Sequence, residues 1–150
     1  MPNIFDKSST DTMISRVQSL THESTPQWGS MNVTEMLLHC NMIQEKLLQP
    51  ATSSGKKTSI KQYLTRWLVL YIMPRYPKGA AAPKDFRTKG VINRETFQEQ
   101  QQRFIQNLLL FQQHTAPVEH YHPYFGNLST KQWGITCWKH NDHHLRQFGV

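Results

Sequence analysis

Eight histidines occur in the chain, and the run His140-Asn141-Asp142-His143-His144 is the one whose spacing suggests chemistry. Neutral imidazole binds divalent transition metals, and two imidazoles four residues apart on a helix differ by only about 40° around its axis. On a helical wheel, Trp133, Cys137, His144 and Phe148 share the core side, and His140 stands at its edge. His143 points away, toward solvent or a supporting position. In a chain this rich in histidine, chance alone supplies roughly 0.4 such pairs, so the spacing matters only because the pair faces the core. Buried neutral imidazoles need partners. Two readings are therefore open: a metal-binding pair, or two core histidines bonded to side chains or backbone. A third ligand would come from another helix, and His39 lies beside an apolar stripe, Met36 to Ile43, that could face the interior. Taken alone, His39 reads as a satisfied core histidine. Joined to the other two, it would complete a three-histidine site with positions left for water or substrate, the arrangement of catalytic rather than structural centres.

The same residues limit the chemistry. Asn141 stands where a zinc-peptidase helix would carry its glutamate base, and Asp142 projects nearly opposite His140. No phosphate-binding loop and no dinucleotide fingerprint is present. Cys137, one turn before His140, could form a nucleophilic pair with it, but reads better as a small buried hydrophobe.

Four segments with helical periodicity would position these side chains. The first runs from about Thr10 to Leu20 with Met13, Ile14, Val17 and Leu20 on one stripe. The second starts at Asn32, where Glu35 closes a capping box, and continues through Met36, His39, Cys40, Ile43 and Leu47. The third begins at Asn93 and carries Phe97, Phe104, Ile105, Leu108, Leu109 and Phe111 under a glutamine-rich outer face. The fourth opens with the capping box Ser129-Thr130-Lys131-Gln132 and runs through Trp133, Cys137, His140, His144 and Phe148. A shorter piece, Ile60–Met73, is expected to pack beside the second helix and stop before Pro74. Nothing alternates long enough to suggest a sheet. Four long helices in one all-α domain spanning residues 1–150, with long connecting loops, is the simplest architecture.

Composition sets the remaining bounds. With 37% apolar residues in 150, the chain can bury a single core. Met1–Thr12 is polar, so no secretory leader is expected, and Trp67–Met73 is too short to cross a bilayer. A cytoplasmic protein with no membrane partner follows, its two cysteines, Cys40 and Cys137, reduced and buried. The net charge of +7 is concentrated between Lys56 and Arg94, where ten Lys and Arg face the lone Asp85. That region reads as a solvated loop surface, with a rim attracting anionic substrates as the other reading. No nucleic-acid motif accompanies the charge, so nucleic acid is a remote partner.

At this point the residues resemble a family. His140-Asn141-Asp142-His143-His144-Leu145-Arg146-Gln147-Phe148 is similar to the C-terminal motif of the DinB/YfiT-like metalloenzymes. Trp28-Gly29, Met36-Leu37-Leu38-His39 and His122-Pro123-Tyr124-Phe125-Gly126 resemble an uncharacterised branch of that superfamily, over most of the chain from Asp11 to Gly149. The resemblance implies a four-helix bundle in which His39, His140 and His144 hold zinc, nickel, iron or another divalent ion. It also implies a homodimer and a small-molecule substrate, with an anionic thiol among the candidates. His122, His143 and Arg146 become candidate supporting or substrate contacts. The expected function is a metal-dependent enzyme that activates water or a low-molecular-weight thiol, of hydrolase or thiol S-transferase type. The alternative is a non-catalytic, stress-related dimer that binds metal.

Overall fold

In the computed structural model, residues 1–51, 55–79, 84–91 and 96–150 are described, and they are mostly helical. The expected helix start at Asn93, and Arg94 of the basic region, lie outside these residues. At the centre is α2, Val33–Leu48, which starts where the sequence dictates. Asn32 accepts from the Glu35 amide at 2.9 Å, and Glu35 returns a bond to the Asn32 amide at 2.8 Å. Its first two turns are buried nearly all round, from Val33 through Leu37 and again at His39, Cys40 and Asn41, as a helix enclosed by others must be.

Of the three other long helices, two pack against α2, and the first in the chain packs against those two. α1, Lys7–Gln18, begins three residues earlier than the apolar stripe indicates, with Lys7 paired to Asp11 one turn on. α4, Phe97–Gln113, packs Phe97, Phe104, Leu108 and Phe111 into the core against α1 and α2. Two expectations for α4 need correction. Gln100 is buried rather than outward, because its side chain and carbonyl both accept from Asn41 Nδ2 at 3.0 Å. Leu109 is 43% exposed, on the flank away from the core.

α5, Thr130–Gln147, is capped by Ser129 with Gln132 as expected and packs against α1 and α2. Glycine in mid-helix costs about 0.5–1 kcal/mol relative to alanine, and Gly134 has a visible reason. A Cβ there would stand 1.9 Å from Asn3 Oδ1, and its carbonyl accepts from the Ile4 amide at 3.2 Å. The N-terminal strap thus crosses α5 in direct backbone contact, and Ile4 is fully buried. Cys40 and Cys137 are buried, free thiols on α2 and α5.

The Ile60–Met73 piece forms α3, Ile60–Trp67, continued by a π-helical turn, Leu68–Ile72. It lies against α5 through the π turn rather than beside α2. The reason is Lys139 of α5, a buried residue whose ammonium donates to the carbonyls of Val69 (2.7 Å), Leu70 (3.1 Å) and Met73 (2.6 Å). Helix ends leave such carbonyls unpaired, and a cation there is favoured.

One small sheet appears where none was expected. β1, Tyr121–His122, pairs antiparallel with β2, Gly126–Asn127. Two-residue strands are too short for an alternating pattern to register. Among the described residues no helix is long and apolar enough to cross a membrane.

Candidate metal centre

The two capping boxes set the rotation of α2 and α5, and thereby the direction of three imidazoles. His39 comes off α2 between the buried Met36 and Cys40 and is only 3% exposed. His140 and His144 come off the last half of α5, one turn apart, His144 buried and His140 partly so. Their rings converge, tilted for His39–His140 with centroids 5.0 Å apart and edge-on for His39–His144 at 4.8 Å and His140–His144 at 4.7 Å. One nitrogen from each lies within 4.8 Å of the other two. His39 Nε2 and His140 Nε2 are 3.0 Å apart. Nitrogens bound to one ion at 2.0–2.1 Å stand about 2.9–3.4 Å from each other, so His39 and His140 are already at that spacing, with the His144 nitrogen within 4.8 Å of both.

The far nitrogens show how the rings are aimed. His39 Nδ1 lies 2.7 Å from the carbonyl of Phe86, which accepts only, so Nδ1 carries the proton and Nε2 presents its lone pair inward. Phe86 ends a short 3-10 turn, Lys84–Phe86, fastened to α2 just beyond it. Thr88 Oγ1 donates to the Glu35 carbonyl at 2.7 Å, and the Gly90 amide donates to the Glu35 carboxylate. His144 Nδ1 faces Gln147 Oε1 at 2.9 Å, the second ring held by an acceptor behind it. Ligand histidines are held in this way, with the outer N–H on a carbonyl or carboxylate. For His140, Nδ1 is buried without a partner, and so is Oδ1 of the adjacent Asn141. Those two atoms are a complementary donor and acceptor once His140 Nε2 serves as the inward ligand atom.

Electrostatics favour neutral rings. Burial lowers the pKa of His39, against a smaller opposing effect of the Phe86 carbonyl. Burial, then the nearby His39, takes His144 down to about 3. His140 falls well below its ordinary value, first by burial and then through His144, His39 and His143. Three neutral imidazoles with one nitrogen each gathered within 4.8 Å form a candidate site for a cation.

The comparison with protein families bears on the whole of this arrangement. A family model described as "Protein of unknown function (DUF1569)" matches residues 4–149, nearly the full chain. The chain belongs to the DUF1569 family. Among curated proteins and solved structures, nothing matches it.

The other candidates in this DUF1569 chain fall at different distances from the three rings. His143 lies edge-on to His144 at 5.2 Å and packs against Trp28 at 5.7 Å, half-buried beside the centre. Arg146 acts on His143 through its charge, helping to lower that histidine's pKa after burial, the larger cause. His122 is placed elsewhere. Its Nδ1 accepts from the amides of Tyr124 and Phe125 at 3.1 and 3.2 Å, and its ring stacks on Phe125 at 4.2 Å. Its contact on α5 is Trp133, two turns or about 10 Å before His140 along the helix. His122 shapes the hairpin, and burial there takes its pKa down to about 4. Asp142 is held by Arg16 of α1 at 2.8 Å, turned from the site as the wheel indicated.

Sequence reasoning missed two orienting groups. Gln147 stands three residues after His144, a helical neighbour spacing that was available to read. The Phe86 carbonyl is a backbone atom in the basic region, and nothing in residue type marks it.

Proposed function

We propose that this chain is a metal-dependent enzyme of the DinB/YfiT-like kind, a four-helix bundle of α1, α2, α4 and α5. His39, His140 and His144 would hold one zinc, nickel or iron ion, and the reaction would be hydrolysis or transfer to a low-molecular-weight thiol. The reading rests on one observation: three inward-facing imidazoles from two helices, two of them oriented from behind by Phe86 O and Gln147 Oε1. When bound, the ion supplies Lewis acidity that lowers the pKa of water or a thiol to near neutral.

The protein's own residues do the rest. Phe86 O and Gln147 Oε1 keep a proton on the outer nitrogen of His39 and His144, so that neither ring must lose one on binding metal. Three protein ligands leave coordination positions for a substrate. Met36, Cys137 and Leu145, next to the three histidines along α2 and α5, are buried in the core.

Elemental analysis of the dialysed full-length protein tests the site. We expect about one divalent ion per chain in the wild type, and its loss in His39→Ala and His144→Ala with helicity retained. A wild type that keeps no ion after growth in metal-supplemented medium overturns the reading.

A second reading, a metal-binding protein without turnover, is favoured by how closed the centre is, since His39 and His144 are 3% and 8% exposed. A panel of ester, epoxide and thiol-acceptor substrates separates the two. Metal-dependent turnover supports the enzyme, and its absence from a fully loaded protein supports the binder.

A further inference from the structure

The helical run Ile60–Ile72 is turned opposite to an ordinary surface helix. A helix on a globular protein buries its apolar stripe and shows its polar face to water. Here α3 has no buried residue, and Ile60, Tyr63, Leu64, Trp67, Leu68 and Ile72 are between 45% and 80% exposed. They recur at helical spacing along one stripe about 20 Å long.

In the π turn Leu70 is fully buried and Val69 packs on the core, while along α3 it is the polar side that is fastened. Gln62 Nε2 donates to the Tyr121 hydroxyl at 2.8 Å and to the Pro123 carbonyl at 2.9 Å. Arg66 donates to the Asn127 carbonyl at 2.7 Å, and Lys139 grips the carbonyls at the far end. The outward orientation is therefore built in by specific bonds at both ends. Contiguous exposed apolar patches beyond a few hundred Å² mark binding surfaces.

Charge selects the occupant. From Gly55 to Gly79 there are six Lys and Arg and no Asp or Glu. Lys57, Lys61 and Arg75 are exposed around the stripe. A second copy seated face to face would bring two acid-free basic segments together, and like charges across an interface oppose association. A nucleic-acid strand could stack on Trp67, but Arg66 already lies over the Tyr63 ring at 4.5 Å, and aliphatic Ile60, Leu64, Leu68 and Ile72 offer no stacking surface between them. An anionic bilayer matches both features, with Leu, Ile and Trp for the acyl boundary and cations for the headgroups.

We propose that Ile60–Ile72 docks the protein flat on anionic lipid surfaces, with the stripe inserted at the headgroup boundary. The lack of a spanning helix among the described residues concerns crossing a bilayer and does not bear on lying in its plane. This departs from the sequence-based expectation of no membrane partner, and it stands independently of the metal centre.

Co-sedimentation of the full chain with phosphatidylcholine vesicles, with and without ~30% phosphatidylserine, tests it. The expected result is binding to the anionic vesicles that falls roughly tenfold on neutral vesicles or in high salt. The double variant Leu64→Glu, Trp67→Glu should lose binding, with circular dichroism showing the fold retained. Should that variant misfold, Lys57→Gln with Lys61→Gln and Arg75→Gln, which alters no packed residue, should weaken binding by a similar factor. No binding, or equal binding to neutral vesicles, overturns the proposal. So does sedimentation velocity showing a vesicle-indifferent dimer that Leu64→Glu, Trp67→Glu converts to monomer, which would assign the stripe to a second copy.

Discussion

Gln147 joins His144 to the turn before α2: its Oε1 faces His144 Nδ1 at 2.9 Å while its Nε2 donates to the Trp28 carbonyl at 2.6 Å. The same residue's carbonyl accepts from the Gln27 amide at 2.7 Å. Because both ends of the amide are engaged, the oxygen is held toward His144 and the ring is fixed with its Nε2 inward. Gly29 permits this approach. Its φ is +80°, and a Cβ there would lie 2.6 Å from Gln147 Nε2.

Removing the orienting amide should loosen the metal centre without emptying it. Gln147→Ala is expected to weaken metal affinity by about 10- to 100-fold, the usual cost of losing a group behind a ligand histidine. Gln147→Glu keeps the acceptor for His144 but loses the donor to Trp28, and should fall between wild type and alanine. Competition with a calibrated chelator measures both. Affinities indistinguishable from wild type would show that the bond does not aim the ring.

The segment holding Phe86 should matter to His39 in the same way. Thr88→Val removes the bond to the Glu35 carbonyl inside a buried contact, at a cost of about 1–3 kcal/mol. The variant is expected to lose stability by that amount in urea unfolding and also to bind metal more weakly, because the Phe86 carbonyl is then less firmly placed. Lost stability with unchanged affinity would separate the 3-10 turn from the centre.

The parts of this arrangement that were legible in the sequence share a physical reason. Asn32 with Glu35, and Ser129 with Gln132, are local hydrogen-bond patterns, so they fixed the start of α2 and α5 without knowledge of the rest. Once those starts are fixed, helical periodicity turns His39, His140 and His144 inward, and the residues themselves name the chemistry. What stayed hidden depends on atoms or faces that residue type does not encode. The Phe86 carbonyl belongs to no motif, and Gln100 reads as surface until Asn41 is found across from it. The expected packing of Ile60–Met73 beside α2 failed for a different reason: helical character alone does not say which face a helix turns in or out. His122 was drawn toward the site by resemblance, and its bonds to the Tyr124 and Phe125 amides place it in the hairpin.

Acid should destabilise the metal-free protein through the buried imidazoles. Burial holds the pKa of His144 at about 3 in the folded state, against an ordinary 6.5. Below pH 6.5 the unfolded chain therefore binds protons that the folded chain refuses, and stability falls as pH drops through the window from about 6.5 to 3. Urea unfolding at pH 7, 6, 5 and 4 should show this decline. It should be shallower in His144→Gln, which has no ring to protonate. Identical slopes in the two proteins would mean that His144 titrates normally. Metal release should follow the same direction, since protons compete for the same lone pairs.

Lys139 is the residue on which the position of α3 depends. It lies next to His140 in sequence but reaches the other way, and its ammonium satisfies three carbonyls at the end of the π turn. Burial lowers its pKa, yet three acceptors repay much of the lost hydration, and the charge also complements the negative end of the helix. Lys139→Met fits the same space but leaves those carbonyls without a donor. Leaving buried carbonyls without their donor costs about 1–3 kcal/mol when all of the structure it supports must respond. The cheaper response is local: the π turn detaches while α2, α4 and α5 stay packed. Hydrogen exchange should then show protection lost over residues 60–73 and retained in α2 and α4, and the metal content should be unchanged. If exchange rises evenly through the whole chain instead, α3 is part of the cooperative core and Lys139 is not its separate anchor.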